Sequence, residues 1–338
     1  MTTAAERGGA SLQELRALVL GVVRISLGVE AGIAVMLLLR FWLHYDQPLP
    51  RAAWLGIFHA ISAFNNAGFG LFSDSLVGFV GDPWICLPIS AGIIIGGLGF
   101  PVLIQLARHL RTSRLWSLNT RLVLVGTPML LGLGTVFICL LEWRNPATLG
   151  PLPWQQKLLA GFFQSVQTRT AGFNSIDIAS MDPTTWLGMD VLMFIGGGPA
   201  GTAGGIKITT FLVLLAIIVT ELRGDAAVNV LGKRLSRSVH RQAMTVALLA
   251  VALVMAATLV IMWLTPFTLD QVVFEVVSAF ATVGISTGIT SQLPAAAQLL
   301  LVCLMFTGRL GPVALATALA LQPRTTEFEL PKERPIIG

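Results

Sequence analysis

The chain has 338 residues, of which 54% are hydrophobic and 12% are charged, with a mean hydropathy of +0.79. A soluble domain carries roughly 25% charged residues, so this composition excludes one and describes an integral membrane protein. The net charge of +5 therefore carries no nucleic-acid reading; it matters through its distribution, because basic residues mark cytoplasmic loops.

Residues 1–12 read as disordered, and Ser11-x-x-Glu14 reads as a capping box that starts a helix. No cleavable signal peptide is evident. A first membrane span is expected over Ile25–Trp42, with Glu30 near its start. An intramembrane carboxylate is either a functional group or a helix-interface hydrogen-bonding group. A polar, proline-bearing loop, His44–Arg51, precedes a short helix over Ala53–Phe64. About 12 residues at 1.5 Å each cannot cross a bilayer, so the chain enters and leaves on one side. A second span follows from Pro83 to about Leu106, and its Gly92-x-x-x-Gly96 spacing allows close helix approach.

Arg108, His109, Arg111, Arg114 and Arg121 form a linker without an acidic residue, which reads as cytoplasmic. A third span runs over about Leu122–Trp143. A second short helix comes after Pro153. Pro183 to about Arg223 is nearly twice a bilayer crossing and is broken by Gly196-Gly197-Gly198-Pro199-Ala200-Gly201-Thr202-Ala203-Gly204-Gly205. Glycine and proline cost about 1 and 3 kcal/mol in a helix interior, so a broken helix with an intramembrane loop is expected; a plain kink or an extra-membrane turn is the other reading. Glu221–Arg241 is a second basic linker, compatible with an interfacial helix. A fifth span is expected over Ala243–Leu264, a third short helix over Leu269–Phe280, and a sixth span over Ala295–Leu321 with Arg309 at its centre. Six full spans and a basic tail, Pro331–Gly338, put both termini in the cytoplasm. Cys86, Cys139 and Cys303 lie far apart in apolar runs and read as small buried hydrophobes.

The three short helices end alike. Asn66-Ala67-Gly68, Thr170-Ala171-Gly172 and Thr282-Val283-Gly284 follow them, and the copies recur every 105–110 residues or so, the mark of an internal repeat. A cation that leaves water needs its hydration shell replaced, and rings of backbone carbonyls do this in potassium channels. Glycine permits the backbone angles such a segment needs and adds no side chain. These triplets are therefore the candidate ion filter, behind pore helices whose partially negative C-terminal ends face the ion. His59 and Glu275 sit at matching places on their pore helices. Hydrogen bonds that brace the filter are their first reading and direct ion binding the second. Asn65 and Asn66 are read as backbone supports, and Arg169 as a partner for a nearby acid.

The phrases Ser62–Phe69, Gln167–Asn174 and Ala279–Ser286 closely resemble the filters of the Trk/Ktr/HKT potassium transporter superfamily. Met193–Lys207 resembles its gating loop, and Met305–Pro312 resembles its last pore-lining helix with its arginine. The short tail is similar to the Ktr branch's membrane subunit. The resemblance implies an all-α membrane protein of helix–re-entrant pore helix–helix repeats around a potassium-channel-like pore. It also implies K+ as the transported ion, no bound organic cofactor and no enzymatic activity. A homodimer in the bacterial plasma membrane and a cytosolic nucleotide-binding regulatory subunit are implied too, with membrane lipid and no nucleic acid as surroundings. Glycine at the filter position, against serine in sodium-passing relatives, implies potassium selectivity. The family has four repeats. Three are found here, over 1–112, 113–238 and 239–338, and they match the second, third and fourth, so a fragment or an upstream start is expected. A non-conducting or partner-dependent subunit is the alternative.

Arg309 reads as a positive charge below the filter that limits permeation and contacts the glycine loop, or else as a member of a structural ion pair. Lys207 either steers the loop or snorkels to the cytosolic face. Gly284-Ile285-Ser286-Thr287-Gly288 also matches the serine-hydrolase pattern, which would require a histidine base beside Ser286.

Overall fold

The computed structural model describes residues 3–225 and 227–311. It contains eleven α-helices and one small hairpin among these residues. Helix α1 (Thr3–Leu43) runs through Ser11 instead of starting there, so the expected capping box is not used. Alanine-rich sequence from Ala4 onward favours the helix without it.

The same triplet of elements then recurs. Helix α2 (Leu49–Phe64) is the first short helix; it starts four residues before the expected Ala53, because Pro48-Leu49-Pro50 serves as a helix start. Helix α5 (Leu118–Glu142) leads into α6 (Trp154–Gln167), and α9 (Arg237–Leu264) leads into α10 (Leu269–Phe280). The α10 boundaries are those expected. Thr268 and Gln271 form a reciprocal capping box at its start.

The outgoing helices are less regular. The expected span Pro83–Leu106 is two helices, α3 (Pro83–Leu98) and α4 (Phe100–His109), bent by 98° at Gly99. Gly99 has φ +94°, and Pro101 cannot supply the hydrogen bond that would carry α3 onward. The expected broken helix is present as α7 (Pro183–Phe194) and α8 (Ile208–Arg223), separated by the glycine loop. Helix α11 (Ala295–Leu310) stops at Gly311, whose φ of +89° matches Gly99. Arg309 is therefore in the last turn of α11. The rest of the expected sixth span, to Leu321, and the basic tail lie outside the described residues. In the basic linker a hairpin replaces the expected interfacial helix, with β1 (Asn229–Val230) antiparallel to β2 (Lys233–Arg234). Leu231 and Gly232 both have positive φ, as a two-residue type I′ turn requires.

Val19–Leu43, Leu118–Glu142 and Arg237–Leu264 are each long and apolar enough to cross a bilayer. Their outer faces are apolar: Leu140 is 75% exposed and Trp263 84%. Inside, two buried carboxylates are fully engaged. Glu142 is fully buried and accepts hydrogen bonds from Asn145, Thr148, Thr185 and the Asp182 amide. Arg40 and Asp82 form the one salt bridge among the described residues, joined there by the Tyr45 hydroxyl.

Candidate ion filter and glycine loop

Each short helix delivers a triplet with the same backbone signature. Asn66, Thr170 and Thr282 have φ of +50°, +71° and +53°. Gly68, Gly172 and Gly284 have φ of +71°, +90° and +90°, while the residue between keeps an ordinary negative φ. Positive φ is costly for threonine, whose β-branch crowds the backbone, so two threonines there call for a purpose. In an ordinary strand successive carbonyls point to opposite sides. Alternating left-handed with ordinary residues undoes this and turns successive peptide dipoles the same way.

The triplets lie side by side. The carbonyl oxygen of Ala171 lies where a Cβ on Gly68 would be, and that of Val283 lies where a Cβ on Gly172 would be. A Cβ on Gly284 meets nothing among the described residues. The fourth side, between Gly284 and Gly68, is open. The apolar residue after each glycine reports the same asymmetry: Phe173 and Ile285 are buried, whereas Phe69 is 70% exposed.

Side chains brace the triplets in a repeated pattern. The Glu275 carboxylate accepts from the Thr287 amide (3.0 Å), the Thr290 hydroxyl (2.6 Å) and the Ser286 hydroxyl. His59 makes the matching contact twelve residues on, with Nε2 3.4 Å from the Leu71 amide, while its Nδ1 lies 2.8 Å from the Leu55 carbonyl. Gln164 occupies the matching place in the middle copy and is fully buried. The hydroxyls of Ser62 and Ser278 donate to the carbonyls of Phe69 and Ile285, and Gln167 Oε1 accepts from the Phe173 amide. Sequence reasoning passed over Ser62, Gln167 and Ser278. Aligning the copies on Phe58, Phe163 and Phe274 of the short helices puts all three at one position, which was the available signal. Asn65 donates to Glu30 and to the Ile61 carbonyl, so Glu30 is tied to the first pore helix. The Asn66 amide lies 3.3 Å from the Thr170 hydroxyl and joins the first two triplets.

Replacing Glu275 by alanine leaves the Thr287 amide without its acceptor in a buried place. Unmet buried donors cost about 1–3 kcal/mol each, and bonds to a carboxylate are the stronger kind. The expected result is a clear fall in the melting temperature of the detergent-solubilised protein, with Glu275→Gln intermediate. Equal melting temperatures for all three proteins would remove Glu275 from the bracing role.

The glycine loop fills the space on the other side of the triplets. Its chain is pinned by Gly198 N to Gly97 O (2.7 Å), Thr202 N to Gly96 O (3.3 Å) and Gly196 N to Ile206 O (2.8 Å). The Phe100 amide in turn donates to Ala200 O, so Pro199 and Ala200 sit at the Gly99 bend. The Thr202 hydroxyl donates to the carbonyl of Phe64, at the end of the first pore helix. Gly204 passes Ala281 and Thr282 so closely that a Cβ would overlap them, and Gly205 has φ +65°. Gly201 lies against Gly99, and Gly197 is backed by Ala203 and Gly97. Three cationic side chains hold this loop through its carbonyls. Arg309 donates to Thr202 O, Lys207 Nζ to Ala203 O (2.6 Å), and Arg169 to Gly196 O (3.1 Å).

Arg169 corrects an expectation. Among the described residues no acid pairs with it. It is 7% exposed, and its other terminal nitrogen, Nη1, has no partner among the described residues. The arginine spans from the second triplet to the loop instead. A loop built from glycine presents bare carbonyls, which suit a guanidinium as well as a carboxylate does. The hydrolase alternative also finds no support: the Ser286 hydroxyl donates to Glu275, and no histidine is hydrogen-bonded to it among the described residues.

Comparison with known proteins agrees with this geometry. The family model described as TrkH, cation transport protein, matches residues 2–329. Ktr system potassium uptake protein B of Vibrio alginolyticus is 38% identical over 330 residues, which cover 96% of this chain and 71% of that protein. The protein of the same name from Bacillus subtilis is 39% identical over 313 residues, covering 89% and 68%. The crystal structure of the potassium transporter TrkH from Vibrio parahaemolyticus superposes with a TM-score of 0.70 at 18% identity, over 96% of this chain and 66% of that one. The chain thus spans about two thirds of the length of these proteins. Its relatives are named as transport proteins and not as enzymes. The chain belongs to the TrkH family of cation transport proteins.

Proposed function

We propose that the chain forms three walls of a potassium-conducting pore, with the carbonyls of Asn66–Gly68, Thr170–Gly172 and Thr282–Gly284 as its selectivity filter. The observation that carries this reading is the alternating φ pattern, repeated at the ends of three pore helices and set edge to edge. The Thr282 hydroxyl, which has no partner among the described residues, is one more oxygen available to an ion. The loop Gly196–Gly205 is the gate. It touches the first pore helix, the third triplet and Arg309, so the filter is closed from below while these contacts last. Opening requires Thr202 to leave both Phe64 O and Arg309. Basic linkers on one side of the membrane support a cytoplasmic position for that side and for the gate. A separate cytosolic regulatory subunit, a homodimer and a bacterial plasma membrane belong to the same proposal, by the resemblance of the filter and loop phrases to the Ktr branch.

The open side beside Gly284 and the exposed Phe69 favour a partner-dependent pore, in which further polypeptide supplies the fourth wall. Rubidium uptake in a bacterium that lacks its own potassium systems tests both points. The chain alone is expected to be inactive, and the chain joined to a helix–pore helix–helix unit at its amino-terminal end is expected to transport. Uptake by the chain alone would overturn the need for a fourth wall. Uptake by neither, with both proteins present in the membrane, would overturn the pore.

A further inference from the structure

On the side of the bundle that carries the basic linkers, a crevice of about 350 Å³ opens between α5, α8 and the hairpin. Its inner part is apolar, with Leu122 and Val125 on α5 facing Leu212, Ala216 and Val219 on α8. Its outer end is polar and holds Arg223, Asp225 and Asn229. The local sequence builds this shape. Helix α8 ends at Gly224 in the left-handed conformation, and the amides of Gly224 and Asp225 fold back onto the carbonyls of Glu221 and Thr220. The chain therefore leaves the helix sharply, with Arg223 exposed at the rim. The Leu231-Gly232 turn then brings the hairpin back over the opening, closed by the Leu235 amide on the Val228 carbonyl.

We propose that this crevice binds an anionic phospholipid, with an acyl chain along the α5–α8 groove and the phosphate at Arg223. Three observations carry it. The groove is continuous with the bilayer-facing surface, since Val125 is 57% exposed and Leu215, which also lines it, 41%. Arg223 forms no ion pair among the described residues. The surroundings are strongly positive: Glu221–Arg241 holds five Lys or Arg against two acids, and Arg108–Arg121 holds four Arg and no acid. A basic rim above an apolar slot between membrane helices is the arrangement that retains anionic headgroups. Asp225, at the same mouth, disfavours a headgroup of high charge and suits one with a single phosphate and hydroxyl donors, such as phosphatidylglycerol. Helix α8 begins directly after Lys207, so the lipid would steady the far end of the element that carries the gate loop.

Lipid binding to the purified protein, read by native mass spectrometry with titrated phosphatidylglycerol, phosphatidylethanolamine and phosphatidylcholine, tests the site without any transport measurement. Phosphatidylglycerol is expected to bind best. Arg223→Gln is expected to weaken it about fivefold, the size of one lost basic contact. Ala216→Trp, which fills the groove, is expected to abolish the bound lipid, and Val125→Gln serves where the larger residue disturbs folding. Arg51→Gln, an exposed arginine on α2 that lies outside the crevice lining and outside both basic linkers, is expected to bind as the parent does, and glycerol phosphate is expected not to compete. Equal retention by Arg223→Gln overturns the headgroup assignment. Unchanged binding in both groove variants overturns the site, and equal binding of phosphatidylethanolamine overturns its anionic character.

Discussion

Alanine in place of Gly172 is expected to abolish potassium uptake by the chain joined to a fourth wall, whereas alanine in place of Gly284 is expected to be mild for the isolated chain's stability. At Gly172 two costs coincide. The φ of +90° disfavours any L side chain, by about 1–2 kcal/mol. The added Cβ would also overlap the Val283 carbonyl, which is main chain and has no rotamer to escape into. That carbonyl belongs to the neighbouring filter segment, so relief means moving an ion ligand. A barrier raised by about 3 kcal/mol already slows transport about 100-fold. At Gly284 only the backbone cost applies, because a Cβ there meets open space. The melting temperature of the isolated chain should therefore fall more for Gly172→Ala than for Gly284→Ala. Once a fourth wall is attached, Gly284→Ala should become as inactive as Gly172→Ala. Rubidium uptake by Gly172→Ala within about twofold of the parent, a small part of the 1.4 kcal/mol that separates decades, would mean that these carbonyls do not line the pathway.

The repeat made the triplets legible in the sequence. A lone glycine between two apolar residues is uninformative, but Ala67-Gly68-Phe69, Ala171-Gly172-Phe173 and Val283-Gly284-Ile285, each after a short apolar helix, leave few uses for them. The boundaries of α10 were legible for a local reason, the Thr268–Gln271 cap and the run to Phe280. The glycine loop announced itself by composition, since no stable helix runs through ten residues of that kind. The bend at Gly99 was passed over: Gly96, Gly97, Gly99 and Pro101 weaken the helix there, but the apolar run from Pro83 to Leu106 does not say how far it turns. What bends it is tertiary: the loop inserts Pro199 and Ala200 at that point, and Phe100 N turns to Ala200 O. The same limit applies to Arg169. Sequence shows a cation at the end of a short helix in a membrane protein, and the usual remedy for burying one is an acid. A carbonyl 27 residues away becomes the partner only because the loop folds back under the filter.

That fold-back makes the proposed gate more than a plug. The loop is bonded to all three copies at once, through Phe64 O in the first, Arg169 in the second, and Arg309 in the third. Its own residues supply almost no side chains to pack, so its position depends on those few bonds and on close backbone approach. An element held in this way can move as a unit when two or three bonds break, whereas one held by interlocking side chains would have to be unpacked.

Arg309→Gln is accordingly expected to raise uptake, and Arg309→Lys to leave it near the parent level. In the proposed pore the arginine would act on a passing ion in two ways that these variants separate. Its charge opposes a cation in the pathway; two unit charges about 6 Å apart repel by about 3 kcal/mol at an effective dielectric constant near 20. Its guanidinium also donates to Thr202 O and so holds the loop under the filter. Glutamine removes the charge and keeps a shorter donor, while lysine keeps the charge and loses the planar fork. If charge is the main barrier, the glutamine variant gains roughly tenfold in initial rate, a conservative share of that repulsion. If the bond to Thr202 is the main barrier, both variants gain, and Thr202→Val, which loses the hydroxyl to Phe64 O, gains as well. Lower uptake in all three, with the protein present in the membrane in parent amounts, would show that Arg309 supports the pore and does not restrain it.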